Sequence, residues 1–172
     1  SRNLFWSLLG LCELFTSKDY SFVPVGRLVA RGGMDAVKAY YKELGPQYEK
    51  ALRDMIVFDA IVCNTDRHFG NFGFLVDNRT NQIVAPAPLF DHGLSLLCSC
   101  YGEQEIEQFD IMSDKPCQNF IGGRSTLENL RLIKDKGNVF NGRLEPEHKG
   151  ILLKDLDSVL SEAHREKIWN MI

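Results

Sequence analysis

A mainly helical fold with one small β-hairpin is what this sequence predicts, and three observations carry the prediction. From Gln47 onward Tyr48, Ala51, Leu52, Met55, Phe58, Ala60 and Val62 recur at near-helical spacing, and the last two turns are apolar on most faces. Further on, "FGFLV" (72–76), the polar "DNRTNQ" (77–82) and "IVAPA" (83–87) form the strongest hairpin signal in the chain. The composition, 44% hydrophobic and 25% charged over 172 residues, is that of a globular chain able to bury roughly two thirds of its unfolded surface as a single domain.

The elements follow in order. Leu4, Leu8, Leu11 and Phe15 give Asn3 to Thr16 a helical apolar face, which Gly10 weakens. "YSFVPVGRLVARGG" (20–33) is β-branched and aromatic but broken by Pro24 and Gly26, so it reads as a short edge strand or an extended loop. Asp35 opens the helix "DAVKAYYKEL", which Gly45 and Pro46 stop. After the 47–62 helix and the hairpin, "LSLLCSC" (94–100) suits a strand or an extended run, with Cys98 and Cys100 on one face if it is a strand. "EIEQFDIM" suits a short helix, and 113–126 a loop punctuated by Pro116, Gly122 and Gly123. Helices are expected over Leu127–Lys136, around Leu152–Leu160, and from an Ser161 N-cap to the end, with Ala163, Ile168 and Trp169 turned inward.

Charge and cysteine usage exclude several functions. A net charge of −3, from 20 basic and 23 acidic residues, offers no general basic surface for phosphate backbones, so autonomous nucleic-acid binding is not expected. No apolar run approaches the roughly 18 residues of a membrane span, so no membrane partner is expected either. Five irregularly spaced cysteines (12, 63, 98, 100, 117) point to reduced thiols and a cytoplasmic location rather than a disulfide framework. The opening "SRNLFW", without Met, is the mark of a processed protein, an excised domain or an expression fragment.

Chemistry concentrates in "CNTDRHFGN" (63–71), between the buried helix and the hairpin, where rigid elements on both sides would position it. Asp66 and Asn71 stand five residues apart, and Asp91 follows in "PLFDHG" after a hairpin that can fold the chain back. Phosphoryl transfer from a nucleoside triphosphate requires a carboxylate to orient or deprotonate the acceptor hydroxyl, and oxygen ligands to hold magnesium against the phosphates. Two carboxylates and an amide supply them. Arg67 could neutralise phosphate or, the safer reading, anchor the loop to a nearby carboxylate. His68 could shuttle a proton, but suits a packed residue bonded to the backbone near Asp91, and His92 suits either support of the site or plain solvation.

"NTDRHFGN" followed by "APLFDHG" resembles the catalytic and metal-binding loops of HipA-like serine/threonine kinases and, more distantly, those of phosphatidylinositol kinases. The resemblance covers residues 45 to 100 and implies that the chain is the C-terminal lobe of a protein-kinase-like fold, using ATP and Mg2+. It implies Asp66 as catalytic base within a catalytic loop that includes Arg67 and His68. Asn71 becomes a magnesium ligand and Asp91 the principal one, the counterpart of the aspartate in the protein-kinase Asp-Phe-Gly motif. Here that triplet is Asp91, His92, Gly93, so no aromatic switch is carried over.

A Gly-rich phosphate loop and a strand-borne lysine have no counterpart ahead of Asp66, so the nucleotide-binding N-terminal lobe is expected to be absent from this chain, and the isolated chain to have little activity. The acceptor stays open among a protein hydroxyl, a small alcohol and a lipid headgroup, with a protein Ser or Thr favoured, and some relatives of this kind have an antitoxin-like protein partner. Two other classes compete: a non-catalytic kinase-like interaction module, and a metal-dependent hydrolase using His68, Asp66, Asp91 and His92. A zinc site on Cys63, Cys98, Cys100 and Cys117 is weaker, because no Cys-x-x-Cys pair exists.

Overall fold

The computed structural model describes residues 18–29, 31–117, 121–133 and 144–172. Strand β1 (Tyr20–Pro24) runs into a single helical turn, α1 (Val25–Leu28), with Pro24 in extended geometry at the junction. The turn is anchored at its start, where the amides of an α-helix lack partners within the helix: Val25 N–H donates to the Phe72 carbonyl at 2.9 Å and Gly26 N–H to that of Phe69 at 3.0 Å. Helix α2 (Gly33–Leu44) ends at Gly45, whose φ of 121° breaks the chain direction. Pro46 is then the first residue of helix α3 (Pro46–Ile61), a position where its missing N–H costs nothing.

Strands β2 (Gly73–Asp77) and β3 (Ile83–Pro86) form the expected hairpin. The Asp77 carboxylate closes its turn by accepting from the amides of Arg79 (2.8 Å) and Thr80 (2.9 Å). The hairpin is two thirds of a three-stranded antiparallel sheet of order β1-β2-β3, with β1 paired to β2 from Tyr20–Asp77 to Pro24–Gly73. A bulge between Leu75 and Val76 interrupts β2–β3 pairing. Short helices α4 (Glu103–Gln108), α5 (Thr126–Leu130) and α6 (His148–Leu152) and the terminal α7 (Glu162–Met171) complete the described elements.

Two apolar clusters hold these elements. The first gathers Val25, Val37, Tyr41, Leu52, Met55, Ile56 and Phe72 around Phe74, which is fully buried and has the rings of Tyr41 and Tyr48 at 4.8 and 5.9 Å. The second joins Leu97 and Cys100 to Ile106 of α4 and Ile168 of α7. Helix α3 lies between α2 and α5 and belongs to the first cluster.

Several sequence expectations need correction. The β structure is a three-stranded sheet rather than a lone hairpin, because 20–24 takes the edge-strand alternative of its reading and pairs with β2. Residues 94–100 form consecutive turns, not a strand: Leu96 has a φ of 55°, and the Cys98 and Cys100 amides bond back to Ser95 and Leu97. Cys98 is therefore exposed while Cys100 is buried. The helix expected around 152–160 ends at Leu152, and turns with Asp155 at a φ of 67° follow it. Helix α5 stops at Leu130; the last residues expected in it lie outside the described residues, as does the whole expected helix over 3–16. At the C-terminus the reading holds: Ser161 Oγ accepts from the His164 amide and Ile168 is buried, with Trp169 half-buried.

Candidate active site

Helix α3 ends in a way that delivers the polar loop. Its last turn closes with the Asn64 amide on the Asp59 carbonyl (2.8 Å) and the Cys63 amide on that of Ala60 (3.4 Å), with Cys63 at a φ of 52°. This is a Schellman closure, in which a residue of left-handed backbone satisfies the orphan carbonyls. Asn64 is buried and uses both ends of its amide: Nδ2 donates to Asp59 Oδ1 (2.9 Å), and Oδ1 accepts from the Asp66 amide (3.2 Å). Asp66, half-buried, thus starts its loop from a fixed point.

Arg67 is the hub, with 2% of its surface exposed. Its Nε and Nη2 donate to Asp59 Oδ2 and Oδ1 at 2.8 and 2.9 Å, a bidentate pair with a carboxylate that is itself 6% exposed. Nη1 donates to the carbonyls of Asn71 (2.9 Å) and Phe90 (2.8 Å), and Nη2 lies 3.0 Å from His92 Nε2. The anchoring role expected of Arg67 is therefore observed, and its carboxylate is Asp59. Sequence reasoning missed Asp59, although a lone acid inside "MIVFDAIVC", on a helix end that is apolar on most faces, is a group that must find a cation.

The Asp91 segment returns alongside this loop. Val62 pairs with Leu96 (Leu96 N–H to Val62 O, 2.6 Å), Thr65 with Leu94 (3.2 Å) and Arg67 with Phe90. The two stretches run antiparallel in a register that sets position 66 opposite 91 to 93. Because one guanidinium nitrogen holds both the Asn71 and the Phe90 carbonyls, those two oxygens lie within two hydrogen-bond lengths of each other. Asn71 is buried, its Nδ2 donating to the Asp66 carbonyl at 3.2 Å, which fixes the amide so that Oδ1 points the other way. Asp91 is exposed, sits at a φ of 58°, and accepts no hydrogen bond from the described residues.

The histidines are engaged differently from each other. His68 Nδ1 accepts from the Gly70 amide (3.0 Å), so its backbone contact closes its own loop rather than reaching the Asp91 segment. His92 packs edge-on against Phe58, with ring centroids 5.2 Å apart, and faces a guanidinium that can only donate. Its Nε2 is therefore the acceptor and its proton sits on Nδ1. Burial, and then the Arg67 charge, hold its pKa below the ordinary histidine value.

Among the described residues no group of three or more His, Cys, Asp or Glu side chains is arranged to hold a metal ion, so the hydrolase constellation of Asp66, His68, Asp91 and His92 does not assemble. The thiols of Cys63, Cys98, Cys100 and Cys117 are free, and burial, with Asp114 and Asp59 adding to it, pushes Cys117 up to about 11. No helix among the described residues is long and apolar enough to cross a membrane. An apolar cavity of about 200 Å³ adjoins the site, lined by Ala51, Leu52 and Met55 of α3 together with Phe72, Gly73 and the 86–89 segment. A larger cleft, about 600 Å³, lies elsewhere, around Lys149, Lys154 and Arg165.

Searches of protein-family models and of curated proteins return no match for this chain. Among solved structures it is similar to the Helicobacter pylori proinflammatory kinase CtkA, at 18% identity and a TM-score of 0.51, over 91% of this chain and 67% of that one. The likeness concerns the fold: helices α1 to α7 and the three-stranded antiparallel sheet form a kinase-like arrangement.

Proposed function

We propose that this chain supplies the catalytic and metal-binding loops of an ATP- and magnesium-dependent phosphotransferase of the HipA-like kind, acting on a hydroxyl, with a protein Ser or Thr as the acceptor. The observation that carries the reading is the shared guanidinium: Arg67 ties the Asn71 and Phe90 carbonyls together and so gathers Asp66, Asn71 and the Asp91 segment at one place. The kinase-like fold supports it independently.

The donor set fits magnesium. Asn71 and Asp91 offer hard oxygen ligands, one neutral and one charged, to an ion that keeps several waters and phosphate oxygens of its own. In this reading Asn71 Oδ1 and the Asp91 carboxylate hold the ion. When bound, magnesium neutralises charge on the phosphoryl group in transfer. Asp66 orients the acceptor hydroxyl and takes its proton, and the loop that carries it is held by Asn64 and Asn71 so that little reorganisation is needed on substrate arrival. Arg67, with its charge committed to Asp59, positions the loops rather than the phosphates. His68 serves loop closure.

Titration of 15N-labelled protein with ATP and magnesium tests this. Amides of 66–71 and 91–94 are expected to shift together with the nucleotide and the metal, Asp91→Asn to lose the response, and Asp35→Asn, altering a carboxylate whose side chain is 96% exposed on α2, to keep it. A chain that shows no response at these amides, or an identical one in Asp91→Asn, refutes the reading.

A further inference from the structure

The buried acid of α3 has a use beyond satisfying an arginine. The Arg67 guanidinium has five N–H groups, and all are assigned: Nε to Asp59 Oδ2, Nη2 to Asp59 Oδ1 and His92 Nε2, Nη1 to the carbonyls of Asn71 and Phe90. Asp91 directly follows Phe90, so a carboxylate next in the chain to a residue Arg67 holds is left out of its partners. A guanidinium that is always charged and almost fully buried requires a carboxylate. If Asp59 did not fill that need, the Asp91 side chain, whose charge acts on His92 together with those of Arg67 and Asp59, would be a nearby anion to do so by turning inward. A carboxylate paired that way with arginine has its lone pairs committed and its charge neutralised, and it no longer suits a divalent cation.

We propose that Asp59 is a positioning residue for the divalent cation: it satisfies the Arg67 guanidinium from the helix side and so keeps the Asp91 carboxylate turned outward, where a metal ion can be bound. The metal part of this proposal rests on the phosphotransfer reading; the competition between Asp59 and Asp91 for Arg67 does not.

The test uses Mn2+ as the probe on the whole chain, with binding read from paramagnetic broadening of the amide signals of Gly70, Asn71 and Gly93. Asp59→Asn puts an amide donor against Arg67 Nε and removes the neutralising charge, and Mn2+ affinity is expected to fall by about tenfold or more. Asp59→Glu keeps a carboxylate on α3 for Arg67 and leaves the Arg67 bonds to the Asn71 and Phe90 carbonyls in place, so it is expected to retain most of the wild-type Mn2+ affinity. Unchanged affinity in Asp59→Asn, or a loss in Asp59→Glu as large as in Asp59→Asn, overturns the proposal. A metal-free measurement separates its failure from that of the phosphotransfer reading: contacts between Arg67 guanidinium protons and Asp91 Hβ should appear by NMR in Asp59→Asn and be absent in the wild type. If the wild type binds no Mn2+ but these contacts appear, the phosphotransfer reading fails and the competition stands; if they do not appear in a folded variant, the competition itself is refuted.

Discussion

At the scale of single residues, the network around Arg67 dominates. Asp59 and Arg67 are both almost wholly buried, and removing one member strands the other's charge away from water. Arg67→Ala is expected to cost about 3–5 kcal/mol of stability, a range typical of broken buried ion pairs. Chemical denaturation measures this, and a loss below about 1 kcal/mol, the scale of exposed pairs, would contradict it. His92 adds a pH dependence with a definite sign. Its pKa in the fold lies below its free value of 6.5, so the unfolded chain binds the proton more readily. Its contribution is present above the unfolded value and is lost as pH falls through the lower folded one. Unfolding curves from pH 8 to 5 should show this loss in the wild type, and His92→Gln, which keeps an acceptor but cannot titrate, should lack that part of it. Identical pH dependence in the two proteins would refute the assigned proton and contact. "DRHFGN" and "FDHG" single out Asp66, Asn71 and Asp91 as candidates by their types and spacing, and the need of Arg67 for an anchor could be read from its charge. The identity of the anchor could not, because Asp59 lies eight positions upstream on a helix whose apolar pattern drew attention away from it.

At the scale of elements, two backbone positions decide how the loops are held. Gly73 opens β2 opposite Pro24, and a Cβ there would lie 2.1 Å from the Val23 carbonyl oxygen and 2.9 Å from Pro24 Cα. Gly73→Ala must therefore push β1 away, at a cost of about 1–3 kcal/mol as overpacking usually exacts. The Val25 and Gly26 amides, bonded across to Phe72 and Phe69, should then exchange faster with solvent. Gly93→Ala meets nothing within 4 Å and should leave stability unchanged within about 0.5 kcal/mol. Equal stability of the two variants would contradict the close approach of β1. Cys63 is the second position, a non-glycine residue with left-handed backbone at the helix end. Such geometry costs an L-residue roughly 1–2 kcal/mol, so Cys63→Gly should be neutral to stabilising despite the lost side chain, and clear destabilisation in a thermal melt would refute the strain. The sequence displayed the helices and the hairpin because their periodicities are local. It left 20–24 open between an edge strand and an extended loop, since the partner strand lies some fifty residues away, and it suggested a strand or an extended run at 94–100, where an apolar stretch instead turns on itself because Leu96 bonds back to Val62.

At the scale of the whole molecule, the fold works as a clamp on two loops. Phe74 and its ring of tyrosines fix β2 against α2 and α3; α3 presents Asp59 and then Asn64; and the hairpin brings Phe90 and Asp91 back beside the 62–67 stretch. A kinase-like arrangement was legible only through motif order, buried helix, Asp and Asn, hairpin, then Asp-His-Gly, because nothing local in the sequence specifies how distant helices stack. The most direct measurement is a crystal structure of this chain grown with Mn2+ and a non-hydrolysable ATP analogue, read by anomalous scattering. A manganese peak is expected between Asn71 Oδ1 and the Asp91 carboxylate, about 2.1 Å from each, with Arg67 still on Asp59. A peak elsewhere, or a nucleotide bound with Asn71 and Asp91 turned away from a common ion, would contradict the proposal that these loops form one phosphotransfer site.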